Sequence, residues 1–140
     1  MIIYTIDTTE NGYNTLTGEA ATVAELRDIL TKNGGIADCM GSLNFGAEDA
    51  SITICADKQL GFYVAVIDEE DVHLSVGDEG LLDEVVDVWG DDLEISKGLF
   101  ISAELAWQAI EEYISSRKLS NKVDWITPDD LPEDGNYIEL

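Results

Sequence analysis

The side chains of this sequence that could take part in chemistry are one histidine, two cysteines and a large excess of carboxylates. His73 is the only histidine, so any pairing of a nucleophile with an imidazole base would have to use it. It falls within the alternating run from Val72 to Val76, among apolar residues and without an obvious serine or cysteine nucleophile beside it. This context favours a structural or surface histidine, and an enzyme centred on His73 is the alternative.

The two cysteines form neither a metal-binding nor a redox motif. Cys39 and Cys55 lie sixteen positions apart, with no CxxC spacing and no nearby histidine, so we expect free thiols. The sequence also contains no GxGxxG, GxxxxGK(S/T), HExxH or GxSxG motif. We therefore predict no catalytic residue, no cofactor site and no metal site. Weak calcium association at the carboxylates of residues 68–71 is an inorganic alternative.

The carboxylates determine the electrostatic character of the surface. Asp and Glu number 30, against 7 Lys and Arg, which gives a formal net charge of -23. A surface of this sign repels nucleic acid and anionic lipid and attracts a basic protein partner. Two other interpretations stay open: an acidic adaptor or nucleic-acid mimic that binds a basic host protein, and a general acidification of proteins adapted to salt.

Many of the acidic residues lie in turns that follow the central strands of the predicted sheet. A basic partner would meet these carboxylates first, and Trp89 among them offers an apolar anchor. The residues that we expect to contact a partner are Asp68, Glu69, Glu70, Asp71, Asp78, Glu79, Asp83, Glu84, Asp87, Trp89, Asp91 and Asp92. The other two tryptophans, Trp107 and Trp125, are expected to belong to the core.

A long amphipathic helix near the C-terminus organises the predicted fold. Ser102 is placed to cap its first turn, and apolar residues recur at steps of three and four from Ala103 to Ile114. The run from Val123 to Ile126 alternates as a short strand. A second, shorter helix is predicted after Thr22, which forms a capping box with Glu25.

The other segments predict a sheet. Residues 62–67 are expected to form its buried centre, followed by a hairpin to residues 72–76 and a strand at residues 82–89. We predict a polar loop for residues 7–18 and an irregular connection for residues 36–50. The order of elements indicates an α+β fold, in which a mostly antiparallel sheet of about five or six strands is packed by two helices, the longer one near the C-terminus.

The domain organisation predicted from the sequence is a single α+β domain at residues 1–127 and an acidic C-terminal extension at residues 128–140. The extension contains two prolines and many carboxylates, so we expect it to be exposed. Residues 1–7 have no basic segment and no long apolar run, and this argues against a signal peptide. No apolar stretch approaches the roughly 20 residues that span a bilayer. We therefore expect a cytoplasmic protein.

One part of the sequence matches a known pattern. Its matching residues are Leu99, Phe100, Ile101, Ser102, Glu104, Ala106, Ala109, Ile110, Tyr113, Val123, Asp124 and Trp125. They form an apolar strand, a Ser-led helix with alanines, a short loop and a strand that carries a tryptophan. This pattern resembles the first immunity-protein family of bacterial polymorphic toxin systems. The resemblance covers residues 93–127, whereas the upstream part agrees in its order of elements and in its acidity.

The resemblance implies an immunity protein that has no catalytic activity of its own. The family is associated mainly with deaminase-type toxins, so the implied partner is a cognate toxin domain that is basic and acts on nucleic acid. The acidic turns would occlude the active-site cleft of the toxin by presenting carboxylates where phosphates would lie. The protein is expected to bind neither nucleic acid nor membrane directly, and to be a monomer or a weak dimer on its own.

Overall fold

The computed structural model of the protein describes residues 1–8, 14–45, 50–88 and 93–139. It has an α+β fold with two helices, a seven-stranded antiparallel sheet and a separate two-stranded hairpin. The strands are β1 Ile2–Thr8, β2 Asn14–Ala20, β3 Cys39–Phe45, β4 Ala50–Asp57, β5 Gly61–Asp68, β6 Asp71–Val76, β7 Val85–Val88, β8 Leu93–Ser96 and β9 Asp124–Ile126. The helices are α1 Val23–Lys32 and α2 Ala103–Ser116, and short 3-10 turns cover Glu79–Leu81, Lys97–Leu99 and Pro128–Asp130. The predicted fold class is confirmed, with seven strands in the main sheet.

The main sheet has the strand order β2-β1-β3-β4-β5-β6-β9, and β7 pairs with β8 outside it. One face of the sheet, which we call the helical face, packs against α1 and α2. Alternate residues of the strands point into this core, among them the fully buried Ile6, Ile54 and Val64. Trp107 of α2 is 3% exposed and lies edge-on to Phe62, with ring centroids 5.2 Å apart. The prediction that Trp107 is a core residue is therefore confirmed.

The opposite face of the sheet, which we call the hairpin face, carries a second apolar core over its central strands. The fully buried residues Tyr63, Leu74 and Ile95 belong to it, together with Leu99 from the connection to α2. The β7–β8 hairpin and the C-terminal residues cover this part of the sheet. Strand β5 is thus buried on both faces, as its continuous apolar sequence predicted.

Both helices begin at the residues that the sequence predicted. The Thr22 hydroxyl accepts a hydrogen bond from the Glu25 backbone N–H at 3.1 Å, and the Glu25 carboxylate accepts one from the Ala21 N–H at 2.8 Å. At α2 the Ser102 hydroxyl accepts from the Leu105 N–H at 3.3 Å. These contacts satisfy backbone donors that have no partner within the helix.

Two strands occupy segments that the sequence predicted to be irregular. Residues 7–18 were expected to form a loop, but residues 14–20 form the edge strand β2, whose mostly exposed, threonine-rich sequence lacks a hydrophobic alternation. Residues 36–50 contain β3, whose pattern is interrupted by Gly41. A Cβ atom at Gly41 would lie 2.1 Å from the carbonyl oxygen of Thr5, so the close approach of β1 requires glycine there.

The C-terminal extension packs against the hairpin face, and the prediction that it is exposed is wrong for its apolar residues. The Asn136 N–H donates to Ser96 Oγ at 2.8 Å, and the Ser96 N–H donates to the Asn136 carbonyl at 2.9 Å. The Tyr63 hydroxyl donates to the carbonyl of Ile138. Half-buried apolar residues face the sheet, namely Leu131, Tyr137 and Ile138. The acidic residues of the extension are all exposed, namely Asp129, Asp130, Glu133, Asp134 and Glu139.

Trp125 is half-buried, although the sequence predicted a core residue. It lies on β9, an edge strand of three residues, and its side chain packs against the border of the core on the helical face. Its indole Nε1–H donates to the carbonyl of Ser120 at 3.0 Å.

Among the described residues, no helix is long and apolar enough to cross a membrane.

Candidate partner-binding surface

The acidic turn between β5 and β6 is a tight hairpin with two residues at its tip. Asp68 pairs with Asp71 across the two strands, and Glu69 and Glu70 form the connection. Glu69 adopts the left-handed conformation with φ 55°, which two-residue hairpin connections of this kind require. Glu69, Glu70 and Asp71 are exposed. The turn therefore presents three carboxylates to solvent on a short, well-defined support.

Asp68, the fourth carboxylate of this turn, is engaged inside the protein. It is half-buried, and its Oδ2 accepts a hydrogen bond from the Tyr113 hydroxyl at 2.6 Å. Tyr113 lies on the last turns of α2 and is 3% exposed. Asp68 thus connects the hairpin to α2 and positions the turn. The sequence placed Asp68 among the partner contacts, but it had no signal for this long-range hydrogen bond.

Arg117 reinforces the same connection from the end of α2. Its guanidinium lies 4.6 Å from the ring centroid of Phe45 and 6.0 Å from that of Tyr113. Its Nη2 donates to the carbonyl of Phe45 at 3.4 Å. Burial, followed by the hydrogen bond to the Asp68 carboxylate, raises the pKa of Tyr113 to about 12, although Arg117 acts in the opposite direction. Tyr113 is therefore a neutral hydrogen-bond donor throughout the physiological range.

The acidic residues that follow β6 form a second group, whose contacts differ from those of the β5–β6 turn. Asp78 caps a short 3-10 turn, and its carboxylate accepts from the Gly80 N–H at 2.9 Å. The Glu84 carboxylate lies 3.8 Å from the ammonium of Lys97, and both side chains are well exposed. Three further predicted contact residues are exposed, namely Glu79, Asp83 and Asp87.

The structure does not bring the two acidic groups together. Asp71 begins β6 and Asp78 follows its end, so the length of the strand separates them. Six residues of extended chain span about 17 Å. The predicted partner residues therefore form two patches, at opposite ends of β6. Trp89, Asp91 and Asp92 lie outside the described residues.

A shallow hollow of about 350 Å³ lies beside the β5–β6 turn. Glu70, Asp71 and His73 line it from the hairpin, and Asp129 and Tyr137 line it from the C-terminal extension. The sequence did not indicate the two residues from the extension, because their position depends on its folding back across the sheet. The turn and the extension thus form one continuous acidic surface, which we call the turn surface: Glu69, Glu70, Asp71, Asp129 and Tyr137.

The buried cysteines are poorly suited to nucleophilic chemistry. Cys39 faces the helical core and Cys55 faces the core of the hairpin face, and both are 0% exposed and unpaired with each other. Burial raises the pKa of each thiol to about 12, with nearby negative groups adding to the effect. Within the part of the chain that the structure describes, no group of three or more His, Cys, Asp or Glu residues is arranged to hold a metal ion.

Comparisons of the chain with protein-family models, with curated proteins and with solved structures found no match. The features of this chain that bear on function are therefore the chemistry of its surface and the sequence pattern at residues 93–127.

Proposed function

We propose that this chain is an immunity protein that binds a cognate bacterial toxin domain and neutralises it by covering its active-site cleft. The observation that carries the proposal is the turn surface, where exposed carboxylates stand on a hairpin tip that is fixed to α2 through Asp68 and Tyr113. A rigid support matters because a partner then binds without first ordering the turn.

Electrostatics define the kind of partner. With a net charge of -23, the protein attracts basic surfaces, and it repels nucleic acid by the same long-range field. A toxin that acts on nucleic acid must bind phosphates, so its cleft is positively charged. Carboxylates of the turn surface would occupy positions that phosphates otherwise take. The inferred targets are therefore deaminase or nuclease domains.

Inhibition of this kind requires no catalysis by the immunity protein. The two thiols are poorly placed to act as nucleophiles, since both are buried with raised pKa values. His73 lies within β6, paired with Val66 of β5, and lines the same hollow as three carboxylate residues. We infer that His73 belongs to the binding surface. The proposed complex forms in the cytoplasm of the cell that produces the toxin.

The pattern at residues 93–127 supports the assignment to the immunity class. Its helix corresponds to α2, capped by Ser102, and its final strand to β9, which carries Trp125. The expected apolar strand before the helix is wrong, since these residues form a 3-10 turn at Lys97–Leu99 and a single bridge at Ile101. Residues 93–127 act as a scaffold in this fold, because Ala106, Ile110 and Tyr113 of α2 are buried against the sheet. The proposed contact residues lie outside residues 93–127, on the hairpin turn that α2 supports and on the C-terminal extension. Contacts by Trp89, Asp91 and Asp92 stay predictions from the sequence.

Co-expression with a toxin tests the function. The chain is expressed in bacteria together with the toxin domain encoded beside its gene, and growth is followed after induction of the toxin. Restored growth and a stable one-to-one complex are expected. If the toxin kills regardless, and affinity capture instead recovers basic housekeeping proteins, the chain is an acidic adaptor and the proposal fails.

A further inference from the structure

A cleft lies at the end of the sheet opposite the β5–β6 turn. This cleft has a volume of about 690 Å³. Its walls come from the β4–β5 connection, the end of β6, the residues that lead into α2 and the start of β9. Because β5 runs from Gly61 at the cleft to Asp68 at the turn, the whole length of that strand separates the cleft from the turn surface.

Basic residues are concentrated in this cleft. Lys58, Lys97 and Lys122 all line it, although the whole chain has only 7 Lys and Arg residues. The carboxylates that line it are Asp78 and Asp124, out of 30 in the chain. Cations thus outnumber carboxylates here, whereas the protein as a whole has a net charge of -23. The lining of the cleft thus departs from the general acidity of the protein.

Apolar side chains form part of the lining of the cleft, and we call this part its floor. The floor consists of Val76, Phe100, Ile101 and Val123, each of which is between 5% and 7% exposed. Leu105 of α2 adds a half-buried side chain. A volume of about 690 Å³ lies within the range of sites for small organic ligands, which combine apolar walls with a few polar groups.

The walls of the cleft are held by backbone contacts. The Phe62 N–H donates to the Ile101 carbonyl at 2.8 Å, and the Ile101 N–H donates to the Phe62 carbonyl at 2.9 Å. Gly61, with φ 107°, allows this approach, because a Cβ atom there would lie 2.4 Å from the Ile101 oxygen. On the other side, the Gly77 N–H donates to the Gly98 carbonyl at 2.8 Å. The cleft is therefore formed before any ligand binds.

We propose that this cleft binds an amphipathic organic anion, with an apolar body on the floor and a carboxylate, sulfonate or phosphate group at the lysines. Lys58 and Lys122 provide ammonium groups on exposed side chains. The only ion pair recorded for Lys97 among the described residues is the long one to Glu84, at 3.8 Å. Ser102, at the N-terminus of α2, also lines the cleft, where the helix dipole favours negative charge.

The class of ligand follows from the difference in charge between the cleft and the rest of the surface. A long polyanion such as nucleic acid would extend beyond the three lysines onto a strongly acidic surface and be repelled. An anion without an apolar body would not use the floor. A small molecule that combines both parts uses the whole site. The proposal does not rest on the immunity function: the turn surface lies at the other end of β5, and Asp78 is the predicted partner-contact residue that also lines the cleft.

Fluorescence titration of the full chain tests the proposal with anilinonaphthalene sulfonate, an aromatic sulfonate. N-phenyl-1-naphthylamine, which lacks the sulfonate, serves as the uncharged probe. The double variant Lys58→Gln/Lys122→Gln is compared with Lys32→Gln/Lys118→Gln, which removes the same charge at exposed positions outside the cleft. We expect one-to-one binding of the sulfonate, and we expect it to be about tenfold weaker in the first variant only, because that variant removes two of the three cations that line the cleft. Binding of the uncharged probe should be the same in both variants.

Lysine acetylation in the unmodified protein provides a second measurement that does not depend on variants. Bound sulfonate should slow the acetylation of Lys58 and Lys122, measured by mass spectrometry, and leave Lys32 and Lys118 unchanged. The proposal is overturned if the sulfonate protects all four lysines equally or none of them. It is also overturned if both double variants bind the sulfonate as well as the unmodified protein does.

Discussion

The hydroxyl of Tyr113 donates a hydrogen bond of 2.6 Å to the carboxylate of Asp68, and this contact joins the end of the long helix to the acidic hairpin turn. The two residues are 45 positions apart in the sequence. A hydrogen bond to a charged acceptor is stronger than one between neutral groups, and a partly buried position strengthens it further. It links the scaffold to the proposed binding surface.

Removal of this hydroxyl should destabilise the fold measurably. We expect Tyr113→Phe to lower the free energy of unfolding by about 2 kcal/mol, since hydrogen bonds to charged groups contribute roughly 1.5–3 kcal/mol. Urea denaturation of Tyr113→Phe, Asp68→Ala and the double variant gives the coupling energy between the two residues. Strictly additive losses would show that the contact contributes nothing to stability.

Alkaline pH should weaken the same contact. The pKa of Tyr113 is raised in the folded state from 10.0 to about 12, so its stabilising contribution is complete below pH 10 and is lost as the pH rises through 12. The stability advantage of the unmodified protein over Tyr113→Phe should therefore shrink between pH 10 and pH 12. Tyr63 and the two cysteines, whose pKa values are also raised by burial, affect both proteins alike. A constant difference across this range would contradict the assigned pKa shift.

The two thiols should be unreactive in the native state. Cys39 and Cys55 are fully buried, and the raised pKa keeps each of them protonated at neutral pH. Titration with a disulfide reagent should detect neither thiol in native protein and both in guanidinium chloride. Rapid reaction of either thiol under native conditions would show that the sheet opens locally around it.

The C-terminal extension should contribute to stability through its apolar residues. Deletion of residues 128–140 exposes the hairpin face and removes the hydrogen bonds at Ser96 and Tyr63, so we expect a lower urea midpoint. The matched control keeps the extension and replaces its exposed acids, in the variant Asp129→Asn/Glu133→Gln/Asp134→Asn/Glu139→Gln. This control should not lose stability, because it relieves charge repulsion. Equal midpoints for the deletion and the unmodified protein would show that the packing is inconsequential.

Local signals explain which parts of the fold the sequence predicted. The caps at Thr22 and Ser102 act within four residues, and the period of the apolar residues in α2 is a property of the helix itself, so both helices could be placed. Strand β3 could not be placed from the sequence, because Gly41 interrupts its hydrophobic pattern. A glycine is needed at this position because β1, a strand distant in sequence, approaches it closely. The extension was misjudged for the same reason, since Asn136 contacts Ser96 across 40 positions.

The candidate site was predictable only in part. The tight acidic turn at residues 68–71 is a local feature and appears in the sequence as a run of four carboxylates between two strands. The separation of this turn from Asp78 follows from the direction of β6, and the contribution of Tyr137 follows from the path of the extension. Both depend on tertiary structure, which composition and periodicity do not encode.

The proposed function depends on the exposed carboxylates of the turn surface, and the association rate with the toxin measures their contribution. The variant Glu69→Gln/Glu70→Gln removes two charges at the hairpin tip. Glu19→Gln/Glu104→Gln removes two exposed charges elsewhere, on β2 and at the start of α2, and corrects for the change in net charge.

Stopped-flow association of each variant with the toxin domain, over a series of salt concentrations, tests this claim most directly. We predict that the tip variant associates about tenfold more slowly at low salt and shows a weaker salt dependence, because electrostatic steering acts mainly on the association rate. The control variant should associate at nearly the rate of the unmodified protein. Equal rates for the tip variant and the control would contradict the assignment of the turn surface as the toxin-binding site.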